Sequence, residues 1–271
     1  MTTRLEQAFA TRAEAGHAAL VTYIMAGDPT LPVSAEIALA LQEAGADILE
    51  IGVPFSDPIA DGPTIQDAGL RALKEGVTLS KVIDMVAGVR EQGLKIPVVL
   101  MGYLNPIMRM GYAEFAERAV AAGVDGVIIP DFPADEAQAL LSELDRVGMA
   151  PVQLVAPTTT DARIEYVSSK SRGFLYYVSL TGVTGIRDSL PADISERIRR
   201  VQSLSPVPVA VGFGVSNPEM ARALGQVAPG VVVGSAIVKL VEKHGVDAPQ
   251  HVSSFVRQLK GALDEVSLES V

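Results

Sequence analysis

Short apolar runs recur along the whole chain, and an amphipathic stretch separates most of them from the next. Eight such runs stand at Ala19–Met25, Asp47–Gly52, Val98–Tyr103, Gly126–Pro130, Pro151–Val155, Phe174–Val178, Val207–Val211 and Val231–Val233. The intervening stretches repeat apolar positions at helical spacing, as in Val33–Ala44, Tyr112–Ala122 and Asp135–Val147, with Gly45, Gly123 and Gly148 as stops. Strand and helix alternating from end to end imply a parallel sheet, and eight units fit a closed (β/α)8 barrel, a TIM barrel. The longest gap, between the second and third runs, holds two helical patterns, Ile65–Glu75 and Ser80–Gln92, with Thr78 as a cap for the second. Leu5–Ala15 reads as an extra N-terminal helix placed to cover the bottom of the barrel. Residues 1–271 are therefore expected to form a single α/β barrel domain with additional short helices in its βα loops. The alternative, an open doubly wound sheet, lacks its usual fingerprint: Met25-Ala26-Gly27-Asp28-Pro29 is no G-x-G-x-x-G turn.

Composition narrows the function. Of 271 residues, 48% are hydrophobic and 20% charged, enough for a full core in one barrel. Cysteine is absent, which removes disulfides, thiolate metal sites and a cysteine nucleophile. The formal net charge of −10 argues against a nucleic-acid partner, whose phosphates demand a basic footprint. It says little against a small phosphorylated ligand, because backbone N–H groups and helix ends hold those. The amino terminus resembles no signal peptide, and no apolar run reaches the roughly 18 residues of a membrane span. A cytoplasmic location is the default expectation.

The most informative stretch runs from Glu50 to Gln66, E-I-G-V-P-F-S-D-P-I-A-D-G-P-T-I-Q. Glu50 alternates with Ile48 and Gly52, so these three share one strand face while Leu49 and Ile51 take the other. In a barrel one of those faces is the interior. A carboxylate there either pairs with an arginine or, left to desolvation, acquires the raised pKa that proton transfer near neutrality needs. A Pro/Gly loop then delivers Asp61 eleven positions later, above the same strand end. Asp-Gly-Pro is also an ordinary turn in which aspartate satisfies its own backbone. The three histidines, His17, His244 and His251, stand at no strand's carboxyl end, and no ligand spacing for a metal is present. Carboxylates are thus left to carry the chemistry, with Tyr176 or Tyr177 as a helper, since only one of two neighbours on the sixth strand faces inward. Glycine turns follow the last three runs: Gly182-Val183-Thr184-Gly185, Gly212-Phe213-Gly214 and Gly234-Ser235. Ser235 opens the helical pattern Ser235–Lys243, and a helix amino end beside glycine turns after strands seven and eight is where barrels bind phosphate.

Together these residues resemble one family, the α subunit of tryptophan synthase. The likeness runs through Leu49–Gln66, Pro130-Asp131-Phe132-Pro133, Gly182–Gly185, Gly212–Gly214 and Gly234-Ser235-Ala236-Ile237-Val238, in family order along nearly the whole chain. It implies a lyase that cleaves indole-3-glycerol phosphate to indole and glyceraldehyde 3-phosphate by a retro-aldol reaction. It implies that Glu50 transfers protons, that Asp61 holds the indole N–H, and that Tyr176 lines the site. Gly185, Gly214, Gly234 and Ser235 match phosphate-binding positions, and Tyr23, Leu100, Ile128, Thr184 and Phe213 are expected around the indole. Tyr23 stands where relatives often carry phenylalanine, and Leu180-Thr181 where some carry arginine.

The resemblance implies no metal and no cofactor in this chain. Pyridoxal phosphate is expected in a partner β subunit, in an α2β2 heterotetramer that receives indole without releasing it. Asp57, Pro58, Asn105 and Asp131, on loops after strands, are the expected partner rim. The loops Pro54–Pro63 and Leu180–Leu190 are placed to close over the site, with Thr184 and Asp61 able to meet between them. Another phosphate-binding barrel isomerase or epimerase, and a non-catalytic allosteric subunit, are the alternative readings.

Overall fold

All eight apolar runs become parallel strands of one sheet, in a computed structural model that describes residues 3–178 and 193–268. The strands are β1 (Ala19–Met25), β2 (Ile48–Gly52), β3 (Val98–Met101), β4 (Gly126–Ile128), β5 (Ala150–Pro151), β6 (Gln153–Val155), β7 (Leu175–Val178), β8 (Val209–Gly212) and β9 (Gly230–Val233). Their hydrogen-bonded order is β5-β4-β3-β2-β1-β9-β8-β7-β6. The two ends of that order, β5 and β6, are consecutive pieces of one run joined by Val152, so the ring closes through the chain itself. Nine segments thus make eight staves. The expected fifth strand is broken because its two halves serve different neighbours. Val152 donates its N–H to the Val127 carbonyl at 2.9 Å, toward β4, whereas the next N–H, on Gln153, turns to the Ser171 hydroxyl just before β7.

The helices fill the intervals: α1 (Arg4–Glu14), α2 (Leu31–Glu43), α3 (Pro63–Lys74), α4 (Leu79–Glu91), α5 (Leu104–Met110), α6 (Tyr112–Ala121), α7 (Gln138–Val147), α8 (Asp161–Ser169), α9 (Ile194–Leu204), α10 (Pro218–Gly225), α11 (Ser235–His244) and α12 (Ala248–Asp264). Local chemistry sets several starts. Thr3, Thr30 and Thr78 cap α1, α2 and α4 by accepting from the N–H three residues on, and Glu6 completes a capping box with Thr3. Among the boundaries that moved, two have a visible cause. The third strand ends at Met101 rather than Tyr103, because the Asp131 carboxylate accepts the Leu104 N–H at 2.9 Å and so starts α5 immediately. The seventh helix begins at Gln138 rather than Asp135, whose carboxylate is engaged by Arg163 at 2.5 Å instead of capping.

Alternation along the strands sorts two cores. Ala19, Val21, Ile48, Val99, Ile128, Ala150, Val152, Ala210 and Val232 meet inside the ring, and Leu5 and Phe9 of α1 reach in from the bottom to join them. Gly126 and Gly230 make room for this plug: a side chain at Gly230 would stand 3.0 Å from the Phe9 ring, and one at Gly126 3.1 Å from Leu5. Leu49, Ile51, Leu100, Val127 and Val211 face the other way, into the layer between sheet and helices. The bottom of the interior is therefore filled, and any open volume lies toward the carboxyl ends of the strands.

Candidate active site

Glu50 sits in the interior at the middle of β2, level with Tyr23 on β1 and Val99 on β3. It is 1% exposed, and neither carboxylate oxygen has a hydrogen-bond partner among the described residues. Other sequestered carboxylates among the described residues are matched. Asp28 takes a bidentate pair from Arg71 at 2.8 and 2.9 Å, Asp47 takes Lys260 at 2.8 Å, and Asp125 takes Arg90 at 2.9 Å. Among the described residues no arginine pairs with Glu50 to make it merely structural. Burial, reinforced by the nearby Asp61 charge, raises its pKa from the ordinary 4.5 to about 8. A carboxyl group held neutral at pH 7 with no partner is an acid waiting for something to protonate.

Asp61 approaches from the loop between β2 and α3. Its main chain is tied down locally: its N–H donates to the Pro58 carbonyl at 3.1 Å, and Gln66 of α3 donates to its carbonyl at 2.8 Å. The side chain, by contrast, points at Tyr103, whose hydroxyl donates to Oδ2 at 3.0 Å. Burial lifts the Asp61 pKa from 3.8 to about 6, and the Tyr103 hydrogen bond restrains the rise. The two carboxyls therefore part company near neutrality, Glu50 protonated and Asp61 charged. Such a split between adjacent groups is how one pocket holds an acid beside an anion.

Three tyrosines complete the wall. Burial pushes Tyr23 and Tyr176 well above the ordinary 10, and in both cases the Glu50 and Asp61 charges add to the rise, which sets them around the carboxylates. Tyr176 is the inward member of its pair, its hydroxyl over Gly212, while Tyr177 turns away and packs edge-on against Phe213 at 5.3 Å between ring centroids. Gly52 is open for the Tyr23 hydroxyl, which would lie 2.0 Å from any Cβ there.

Several expected positions fall elsewhere. Leu100 was expected against the indole, but alternation turns it to the helix side, where it lines a small apolar hollow with Val53, Leu79, Phe115 and Val127. Met101 takes the inward position, level with Ile128. Phe213 is buried against Tyr177 rather than beside Tyr176. Tyr103 is the residue that reading the sequence passed over; its signal was its place closing the third apolar run, at a strand's carboxyl end. Gly214 has a φ of +71°, the left-handed region glycine favours, and Gly234 packs on Tyr23 directly before Ser235, the first residue of α11. Thr184, Gly185, the remainder of Gly182–Gly185, Leu180-Thr181 and the Leu180–Leu190 loop lie outside the described residues.

On the rim, Asp57 and Asn105 are exposed and Pro58 is half-buried, with Ile59 exposed to 83% and Met108 of α5 to 57%. Asp131 is half-buried and commits one oxygen to Leu104. His244 and His251 stack on each other at 3.6 Å at the α11–α12 junction, and among the described residues no three His, Asp or Glu side chains converge as metal ligands. No described helix is long and apolar enough to cross a membrane.

Fold and site together define a (β/α)8 barrel that holds two sequestered carboxyl groups side by side within the ring, one on β2 and one on the loop that follows it. A family model described as tryptophan synthase alpha chain matches residues 9–266. The chain is 48% identical to the tryptophan synthase alpha chain of Rhizorhabdus wittichii, across 98% of both proteins, and 46% identical to that of Laribacter hongkongensis, across 96% of this chain and 99% of the other. Among solved structures, tryptophan synthase subunit alpha from Legionella pneumophila superposes with a TM-score of 0.91 at 34% identity, covering 98% of this chain and 100% of that one. Mycobacterium tuberculosis tryptophan synthase gives 0.89 at 36% identity, covering 97% and 99%. The chain belongs to the tryptophan synthase alpha chain family. It is accordingly a lyase of tryptophan biosynthesis that cleaves indole-3-glycerol phosphate to indole and glyceraldehyde 3-phosphate. The chain pairs with a β subunit, and pyridoxal phosphate belongs to that subunit.

Proposed function

We propose that Glu50 is the proton-transferring group of the retro-aldol cleavage and Asp61 its anionic counterpart. Breaking the bond between indole C3 and the glycerol carbon requires a proton on C3 and removal of the proton from the adjacent hydroxyl. Protonated Glu50 gives the first; the carboxylate it becomes takes the second as the aldehyde forms, so the group ends as it began. Asp61, charged at neutral pH, accepts the indole N–H and offsets the positive charge that C3 protonation places on the ring. The observation that carries this reading is the isolation of Glu50: buried, unpaired and held neutral beside a second carboxylate.

Tyr23, Ile128, Met101 and Tyr176 form the indole-facing wall in this reading, and Thr184 is a further substrate-binding residue. Leu100 and Phe213 shape it only from behind. Gly185, Gly214, Gly234 and Ser235 bind the phosphate, Gly234 and Ser235 at the amino end of α11, where the helix dipole favours an anion. Asp57, Pro58, Asn105 and Asp131, together with Ile59 and Met108, form the rim that meets the β subunit in an α2β2 heterotetramer. Residues 1–271 act as one domain, in the cytoplasm.

Indole release from indole-3-glycerol phosphate, with and without a β subunit, tests the assignment. Glu50→Gln should lower kcat by roughly two to four orders of magnitude with little change in KM, the size of a lost general acid–base group. Asp61→Asn should also be severely impaired. Near-normal turnover in Glu50→Gln would remove Glu50 from the chemistry.

A further inference from the structure

We propose that Tyr103 is a positioning residue for this reaction: from the end of β3 it clasps the loop leaving β2 and holds the Asp61 carboxylate in place as an anion. The proposal rests on the division of roles between Glu50 and Asp61 set out above and names what enforces it. Three contacts converge on one short loop. The Tyr103 hydroxyl accepts the Ala60 N–H at 3.0 Å and donates to Asp61 Oδ2 at 3.0 Å, and the Tyr103 ring stacks on Phe55 at 5.2 Å and 25°. Directionality follows from the inventory of donors. A backbone N–H only donates, so the hydroxyl receives from Ala60 on a lone pair and its single proton is left for Asp61.

The tyrosine keeps that proton, since burial and the Asp61 charge both raise its pKa above the ordinary 10. It is also a fixed post. It is 4% exposed, it immediately precedes α5, whose first N–H is tied to Asp131, and apolar side chains such as Val53, Ile107 and Phe115 pack nearby. Glu50, with no donor among the described residues, lies at the other extreme. Two carboxyls that burial would drive upward together are thereby separated by one hydroxyl aimed at only one of them.

The titratable groups around Asp61 are Glu50 from β2, Tyr23 from β1, Tyr176 from β7 and Tyr103 itself, with Asp131 facing Tyr103 from beyond β4. The test is Tyr103→Phe, which keeps the ring and its stacking on Phe55 while removing the hydroxyl. Carbon-13 NMR titration of the Asp61 carboxyl in the isolated chain should show its pKa rising by about one unit, as loss of a hydrogen bond to a charged group implies. The acid limb of kcat/KM should move up by the same amount, so that activity lost near pH 6 is largely regained near pH 8. Phe55→Leu, which loosens the stacking and spares the hydroxyl, should leave the Asp61 titration where it was. An unmoved titration in Tyr103→Phe, a pH-independent loss of activity, or an equal shift in Phe55→Leu would each overturn the proposal. Should the unaltered chain make no indole, the catalytic reading falls, yet the NMR titration still decides whether Tyr103 sets the charge of Asp61.

Discussion

Replacing Glu50 by glutamine should make the chain more stable, and more so as the pH rises. The folded-state pKa of Glu50 is raised, to about 8 from 4.5, so folded chains hold a proton that unfolded chains release across that window. Linkage then gives the sign. Below about pH 4.5 both states are protonated and nothing is lost; stability falls as the pH climbs, and above about 8 the full cost of a buried charge is in place. Each unit of pH within the window costs about 1.4 kcal/mol. Integrated from about pH 5 to about pH 8, the wild-type chain loses about 3.5 kcal/mol that the glutamine variant, neutral throughout, does not. The assay is urea unfolding of both proteins at stepped pH, followed by far-ultraviolet circular dichroism because the chain has no tryptophan. Groups away from the site titrate alike in the two proteins and cancel in the difference, which leaves Glu50 and its coupling to Asp61. A difference that stays flat, within about 0.5 kcal/mol over that range, would mean Glu50 is not desolvated in the free chain, and the argument for it as a neutral acid would fail. The same substitution should sharply lower turnover, so stability and activity should move in opposite directions, as they do where a site is built against its own stability.

The pH profile of kcat/KM should be bell-shaped with limbs near 6 and 8, belonging to the carboxyl pair: activity falls below the first as Asp61 gains a proton and above the second as Glu50 loses one. Phe9→Ala, which empties part of the barrel's bottom plug, should cost about 3 to 4 kcal/mol in urea unfolding while leaving the KM of the remaining folded enzyme unchanged. Ser235→Asp places a charge where the substrate phosphate is proposed to sit; steady-state kinetics should show KM rising more than about tenfold, while thermal stability holds or gains slightly from the carboxylate at the amino end of α11.

Much of this molecule was legible in its sequence because the deciding forces are local. Alternation at period two is enough to turn Glu50 inward with Ile48 and Leu49 outward, and helical spacing with threonine caps is enough to start α2 and α4 within a residue or two of where they begin. Eight strand–helix units imply the ring, and the ring implies that chemistry gathers at the strands' carboxyl ends.

What the tertiary structure alone decided are relations between segments distant in the chain. A strand's apolar run does not state which of its residues ends it, so Leu100 and Met101 were exchangeable in the sequence; the helix layer took Leu100 and left Met101 to the interior. Burial of Glu50 could be read from its strand, but the lack of a described arginine opposite it could not, because arginines do pair with other sequestered carboxylates, Arg71 with Asp28 and Arg90 with Asp125. Tyr103 meets Asp61 across 42 positions, and Asp131 starts α5 from 27 positions away. No local pattern encodes these pairings, since they depend on which loops the closed ring brings together. The sequence determines that an acid faces an apolar interior; only the closed barrel determines that no described residue pairs with it, beside a second carboxylate that has a partner.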